Sequence, residues 1–160
     1  MARERGEKSI CENRKARHDY FIDERVEAGI VLSGGEVKSL REGRVNLKDS
    51  YARIDRRGEA FLVGVHITPY GYATNEVAEP DRPRKLLLHR AEIDRLGGKT
   101  RERGFTLIPT RMYFKDGRAK VEIGLARGKE QRDKRDTIRK AESQREIDRV
   151  MKSRARNARP

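Results

Sequence analysis

The stretch IGLARGKEQRDKRDTIRK, residues 123–140, begins like a buried strand and turns within four residues into a track of charge. From Ala126 to Pro160 few apolar side chains remain, and none is aromatic. Ordering a backbone costs entropy that buried apolar surface must offset, so core building stops at Ala126. All nine aromatic residues lie between positions 20 and 114. The large packing groups therefore belong to the front of the chain. A chain of 160 residues built this way predicts one compact domain followed by a tail, with no room for two ordinary domains.

Charge bears on what the tail is for. Charged residues make up 41% of the chain against 34% hydrophobic, and the formal net charge is +13. Before Ala126 there are 26 basic and 20 acidic residues; from it onward there are 13 and 6. The last 35 residues thus hold more than half of the excess. Such an imbalance favours a polyanion, because each neutralised phosphate releases condensed counterions. Nucleic acid is the partner this predicts. An anionic membrane is the alternative, but an interfacial helix needs bulky apolar anchors that the tail lacks. The longest apolar run, 60–65, is far below the roughly 18 residues needed to span a bilayer. A single cysteine, Cys11, excludes an internal disulfide, and the start MARERGEKSICEN has no signal-peptide stretch. These features predict a cytoplasmic chain with no membrane association.

Local signals supply the elements. Residues 1–12 mix charges without a period and are expected to be a mobile arm. HDYFIDERVEAGIVL (18–32) has strand composition. Ser33 with Glu36 three residues on fits a capping box, Val37 and Leu40 give an apolar stripe, and Gly43 suits the stop of a short helix. SYARIDRRGEAFLVGVHITPY reads as a hairpin with strands at 50–54 and 59–67. Residues 69–85, with Pro69, Gly71, Pro80 and Pro83, read as a long loop. LLLHRAEIDRLGGKTRERG places Leu88, Ala91, Ile93 and Leu96 in a helical stretch that Gly97 and Gly98 weaken or end. A second hairpin joins FTLIPTRMYF to RAKVEIGLA through Lys115-Asp116-Gly117. The predicted class is mainly β with α: a small OB-like antiparallel barrel of five or six strands with inserted short helices. In the tail, Ile138 and Ile147 fall on opposite sides of a helix, so no continuous stripe faces a core. The tail is expected to be disordered alone and helical on a partner.

Catalytic patterns are missing. His18, His66 and His89 are far apart, there is no HExxH or CxxC, and SGGE lacks the Lys-Ser/Thr of a phosphate loop. The acidic residues mostly alternate with Lys and Arg, the pattern of an ion-paired surface. The expectation is a binding protein with no cofactor or metal, not an enzyme. Individual residues keep two readings. Glu36 is a helix cap, an RNA contact or both; Leu88 is core or contact; His18 and Tyr20 stack on bases or only edge a strand. Asp133-Lys134-Arg135 is a solvated run or an RNA contact.

Several segments in order, NRKARHDYFI (13–22), AGIVLSGGEVKSLREGRVNLKDSY (28–51), HITPY (66–70), RKLLLHRAEI (84–93), TLIP (106–109), KVEIGLARGK (120–129) and DKR (133–135), resemble the SsrA-binding protein family, small protein B of bacteria. The resemblance implies a flexible arm at 1–12, an RNA-binding OB-like barrel at 13–129 and a basic tail at 130–160. It implies binding to the tRNA-like domain of transfer-messenger RNA (tmRNA, SsrA RNA) and its delivery to stalled ribosomes for trans-translation, with elongation factor Tu in the delivery complex and the chain a monomer. On that resemblance, Asn13, Arg14, His18, Tyr20, Glu36, Leu88, Gly128 and Lys129 form the tmRNA face. Asp133, Lys134, Arg135, Val150 and Met151 would contact the ribosome from a tail helix lying in the empty messenger channel near the decoding centre, against small-subunit ribosomal RNA. Three positions depart from the family pattern, Val150 only by being one methyl short of the Ile that the resemblance implies there. Gly35 is expected to leave the turn looser and Glu36 less fixed, and Arg132 stands where relatives commonly carry an aromatic or His. Two other functions compete with this one: a general RNA chaperone or ribosomal accessory protein, and a metal-dependent RNA-processing enzyme.

Overall fold

The computed structural model describes residues 6–71, 79–102, 104–129 and 131–157, the side chains of 131–133 excepted. It divides into two compact units, Met1–Gly128 and Lys129–Pro160. In chain order the first holds β1 (Glu7–Glu12), α1 (Arg14–Asp19), β2 (Tyr20–Ile30), α2 (Gly34–Arg41), β3 (Val45–Asn46), β4 (Tyr51–Ile54), β5 (Ala60–Val63), β6 (His66–Ile67), β7 (Arg84–Leu87), α3 (Arg90–Thr100), β8 (Phe105–Lys115) and β9 (Arg118–Gly128). The second holds α4 (Gln131–Asn157).

Seven strands run antiparallel in the order β1-β8-β4-β5-β7-β2-β9, and β8 pairs again with β9. That second pairing curls the sheet into a ring. Closure is partial, because β4 meets β8 only at Ala52 opposite Leu107. The β8–β9 hairpin anchors the ring with 11 residues in each strand. Its turn uses Asp116 at φ 51° and Gly117 at φ 79°, as a two-residue type I′ turn requires and the Asp-Gly pair predicts. Pro109 sits inside β8 where the register slips between Pro109 and Arg111. A bulge is one of the few places a strand accepts a residue without an N–H. The main interior cluster includes Leu62, Leu86, Leu107, Met112, Val121 and Ile123, each at most 2% exposed, and a smaller one joins Ala16, Ile108 and Ala126 under Tyr20 and Ile22.

The mainly-β architecture with short helices agrees with the sequence reading. Several elements differ from it: the main sheet has seven strands against the five or six expected, α1 and the short β3–β6 pair have no counterpart in it, and residues 131–157, expected to be disordered alone, form α4. Three further differences have a local cause. Residues 7–12, expected in the mobile arm, form edge strand β1 on β8. Ile10 and Cys11 pack on the core and Glu7 pairs with Arg111; burial pushes the Cys11 thiol up to about 11. An edge strand covered on one side needs little hydrophobic pattern of its own, which hid it. Residues 84–87, read as the end of a loop and the start of a helix, form strand β7 because β5 and β2 flank them with open ladder edges. Finally, α3 runs through Gly97 and Gly98 to Thr100. Leu96, 1% exposed, fixes that helix on the sheet and offsets a glycine cost of about 1 kcal/mol per residue.

Candidate nucleic-acid interface

Helix α1 owes its position to Asn13. The side chain is 6% exposed; its Oδ1 accepts the Ala16 N–H at 3.2 Å and its Nδ2 donates to the Pro109 carbonyl at 2.9 Å. Nδ2 also reaches the Leu47 carbonyl at 3.4 Å, so this amide caps α1 and pins it both to β8 and to the segment ahead of β4. Arg14 is exposed and His18 half-buried, with His18 Nδ1 2.8 Å from Asp19 Oδ1. Tyr20 opens β2 opposite Gly128, the last residue of β9. Beside them lies a cavity of about 340 Å³ lined by residues that include Lys15, Asp19, Tyr20, Asp49, Tyr51 and Thr106. Lys15 Nζ and Asp49 Oδ1 are 2.6 Å apart at this wall. Their hydrogen bond raises the lysine pKa and lowers the aspartate pKa, so both stay charged. Two tyrosines, one of them 43% exposed (Tyr51), and a fixed cation give a concave wall able to stack and orient an unpaired base.

Glu36 occupies a different environment. The Ser33 hydroxyl accepts the Glu36 N–H and the Glu36 carboxylate accepts the Ser33 N–H, a complete capping box. The same carboxylate takes Arg84 Nε at 2.6 Å and pairs with Arg82. Arg84 is fully buried and also donates to the Val65 and Pro80 carbonyls. Burial pushes the Glu36 carboxyl up, and hydrogen bonds from Arg82, the Ser33 N–H and Arg84 more than offset this, leaving it below the usual range. The expected loosening by Gly35 does not occur, because four donors and acceptors hold Glu36 irrespective of its neighbour. With 5% of its surface exposed, Glu36 is joined to the scaffold.

Strand alternation decides the leucine run. Leu86 points inward at 2% exposed and Leu88 packs partly against the core, whereas Leu87 stands 55% exposed. Gly29, its partner in the β2–β7 register, makes room for it; a Cβ there would meet the Leu87 Cβ at 3.2 Å. Leu87 and Leu88 border a groove of about 880 Å³ with Arg25, Glu27, Arg95 and Lys120. Glu27 accepts from the Tyr113 hydroxyl and from Lys115, which lowers its pKa. The sequence-expected residues therefore separate into two sites. Tyr20 and the Leu87 partner Gly29 are nine residues apart on β2, roughly 30 Å at about 3.3 Å per residue. Sequence reasoning missed Tyr51, Glu27 and Leu87. Reading RKLLL as a strand would have found the last of these.

The family model described as SmpB protein matches residues 10–153. This chain belongs to the SmpB family. SmpB-family relatives include the SsrA-binding protein of Desulforudis audaxviator (strain MP104C), 60% identical over 155 residues that span 97% of this chain and 100% of the relative. The SsrA-binding protein of Syntrophobacter fumaroxidans (strain MPOB) is 61% identical over 145 residues, 91% of this chain and 89% of the relative. A solved SmpB structure, described as "tmRNA-SmpB: a journey to the center of the bacterial ribosome", superposes with a TM-score of 0.64 at 48% identity, covering 81% of this chain and 94% of that one.

The second unit of this SmpB-family chain is one helix, α4, of 27 residues. Lys129, ahead of it, donates to Thr137 Oγ1 at 2.9 Å, and Gln144 donates to Asp148 Oδ1 at 3.0 Å one turn away. Arg135 is exposed and Lys134 half-buried; the side chains of Asp133 and Arg132 lie outside the described residues. Val150 and Met151 are 47% and 66% exposed, and Ile147 is 51% exposed. At spacings of three and four these three share one helix face, while Ile138 faces elsewhere. Among the described residues no group of three or more His, Cys, Asp and Glu could hold a metal, and no helix is long and apolar enough to cross a membrane.

Proposed function

We propose that this chain binds the tRNA-like domain of tmRNA and delivers it to stalled ribosomes for trans-translation, without catalysing a reaction of its own. The observation that carries the reading is its match over nearly its whole length to SsrA-binding proteins at 60% identity. The geometry supplies the means. Arg14, His18, Tyr20 and the Tyr51 wall offer stacking and charge at one end of β2; Leu87 and the groove beside Glu27 offer an apolar edge at the other. Asn13 and Glu36 serve by holding these elements in place, and Leu88 by seating β7. Gly128 keeps the end of β9 open beside Tyr20. Two separated contacts suit a folded RNA, which is read by shape and by its unpaired bases.

In the same reading the barrel spans 13–129 and the tail 130–160. The tail helix occupies the empty messenger channel near the decoding centre, with Asp133, Lys134 and Arg135 on ribosomal RNA and Val150 and Met151 as apolar contacts. Elongation factor Tu joins the delivery complex, and the protein acts in the cytoplasm as a monomer. A tail with excess positive charge and an exposed apolar face has no core to bind, so RNA supplies its partner. The test is a binding titration of full-length protein against tmRNA and an equal-length control RNA, in moderate salt with competitor present. Strong preference for tmRNA is expected. Equal binding to both would leave only a basic barrel and transfer the lead to general RNA binding.

A further inference from the structure

Many arginines of the first unit meet carboxylates, as Arg25 meets Glu122, Arg95 meets Glu24 and Arg127 meets Asp23. Among the described residues Arg14, Arg41, Arg101 and Arg118 stand singly without such a partner, whereas the β4–β5 hairpin gathers three arginines of this kind within five residues. Arg53, Arg56 and Arg57 are all exposed, and among the described residues none of them has a carboxylate within ion-pair distance. The acids nearby are otherwise engaged. Asp55 Oδ1 accepts the backbone N–H of Arg57 at 3.0 Å and of Glu59 at 2.9 Å, closing the turn. Glu59 faces Lys85 at 3.7 Å, and Asp94 takes Arg90 at 3.4 Å. Gly58 at φ +76° completes the turn, with the Arg90 guanidinium against it. Arg53 lies over the Phe61 ring at 5.3 Å.

The outcome is three guanidinium groups without an ion-pair partner on one hairpin, Arg53 on β4 and Arg56 and Arg57 on a turn fixed by its own hydrogen bonds. Leaving like charges together is costly for a monomer and favourable toward a polyanion. Arg53 shares the outward face of β4 with Tyr51, two residues away, so the cluster continues from the tyrosine-walled cavity beside α1. We propose that the β4–β5 hairpin is an RNA-backbone contact in its own right, Arg53, Arg56 and Arg57 taking up to about three phosphates. This rests on the RNA-binding reading above and adds a contact that reading does not contain. Continuity with the tyrosine-walled cavity makes tmRNA the occupant, and ribosomal RNA, which offers the same phosphates, is the alternative that the experiment separates from it.

The full-length protein is compared with R53Q/R56Q/R57Q and with R41Q/R101Q/R118Q, which removes equal charge from three exposed arginines elsewhere. Affinity is measured over a range of salt, once with tmRNA and once with small ribosomal subunits. The hairpin variant is expected to lose about 2 from the slope of log affinity against log salt with tmRNA, and about tenfold in affinity at low salt. The control variant should change neither by as much, and R53K/R56K/R57K should keep the parent slope because the charge remains. Equal slopes for the two glutamine variants on tmRNA, with circular dichroism unchanged, would overturn the proposal, and a drop confined to the ribosomal subunits would do so as well. Absence of any parent preference for tmRNA over control RNA would instead sink the proposed function, while the hairpin slopes would stay readable.

Discussion

The two units of this chain handle apolar residues in opposite ways. In Met1–Gly128 most leucines, isoleucines and valines pack inward, and even Arg84 is buried with Glu36 and two carbonyls as partners. In the described part of Lys129–Pro160 no residue is buried. Ile147, Val150 and Met151 there stand about half exposed or more. The first unit buries most of its own apolar side chains, whereas the described apolar side chains of the second stand exposed. A helix with no buried face depends on short-range pairs worth a few tenths of a kcal/mol each.

The largest effect expected from that contrast comes from separating the units. A chain ending at Lys129 should keep the circular dichroism and cooperative thermal transition of the barrel and still bind tmRNA, while tagging of stalled chains is lost. Loss of RNA binding by this truncation with its fold intact would break the division of labour. Next in size, Glu36→Ala should destabilise the barrel by about 3–5 kcal/mol in urea unfolding, because Arg84 is left charged and buried. The comparable tail change, Met151→Ala, should leave the unfolding midpoint unmoved and reduce tagging alone.

Neighbouring leucines give a sharper version. Leu86→Ala should cost about 2–5 kcal/mol of stability by opening a cavity. Leu87→Ala should cost about 0.5 kcal/mol or less yet weaken tmRNA binding several-fold in the same titration. If Leu87→Ala binds like the parent, the groove beside Glu27 is not part of the interface. The pH effect is smaller. The Glu36 carboxyl is held below its ordinary 4.5, so its contribution is fully present above that value and is lost as pH falls through its lowered folded value. Barrel stability should therefore decline on acidification from pH 5, and Glu36→Gln should flatten this part of the profile. Smallest of all, Asp133→Ala should leave tmRNA affinity unchanged and lower tagging modestly, if Asp133 orients Lys134 or Arg135; tagging at the parent level would remove that role.

Much of the chain was legible without coordinates. The Ser33/Glu36 capping box, the Asp116-Gly117 turn and the end of core building near Ala126 are encoded in residues a few positions apart, because caps, turns and periodicity are short-range physics. The family could be read from segments spread over the chain. Only the tertiary structure decided which strands β1 and β7 would join, since an open ladder edge on β8, or between β5 and β2, leaves no local mark. It also decided that Leu87 faces outward while Leu86 and Leu88 do not, and that Glu36 meets arginines 46 and 48 residues away. The hairpin arginines belong to the same class. RIDRRG looked like any solvated charged turn, and only the positions of Asp55, Glu59 and Asp94 showed that its arginines have no ion-pair partner among the described residues. Sequence fixes what each segment can do alone; partners distant along the chain fix which face it shows and which charges it leaves open.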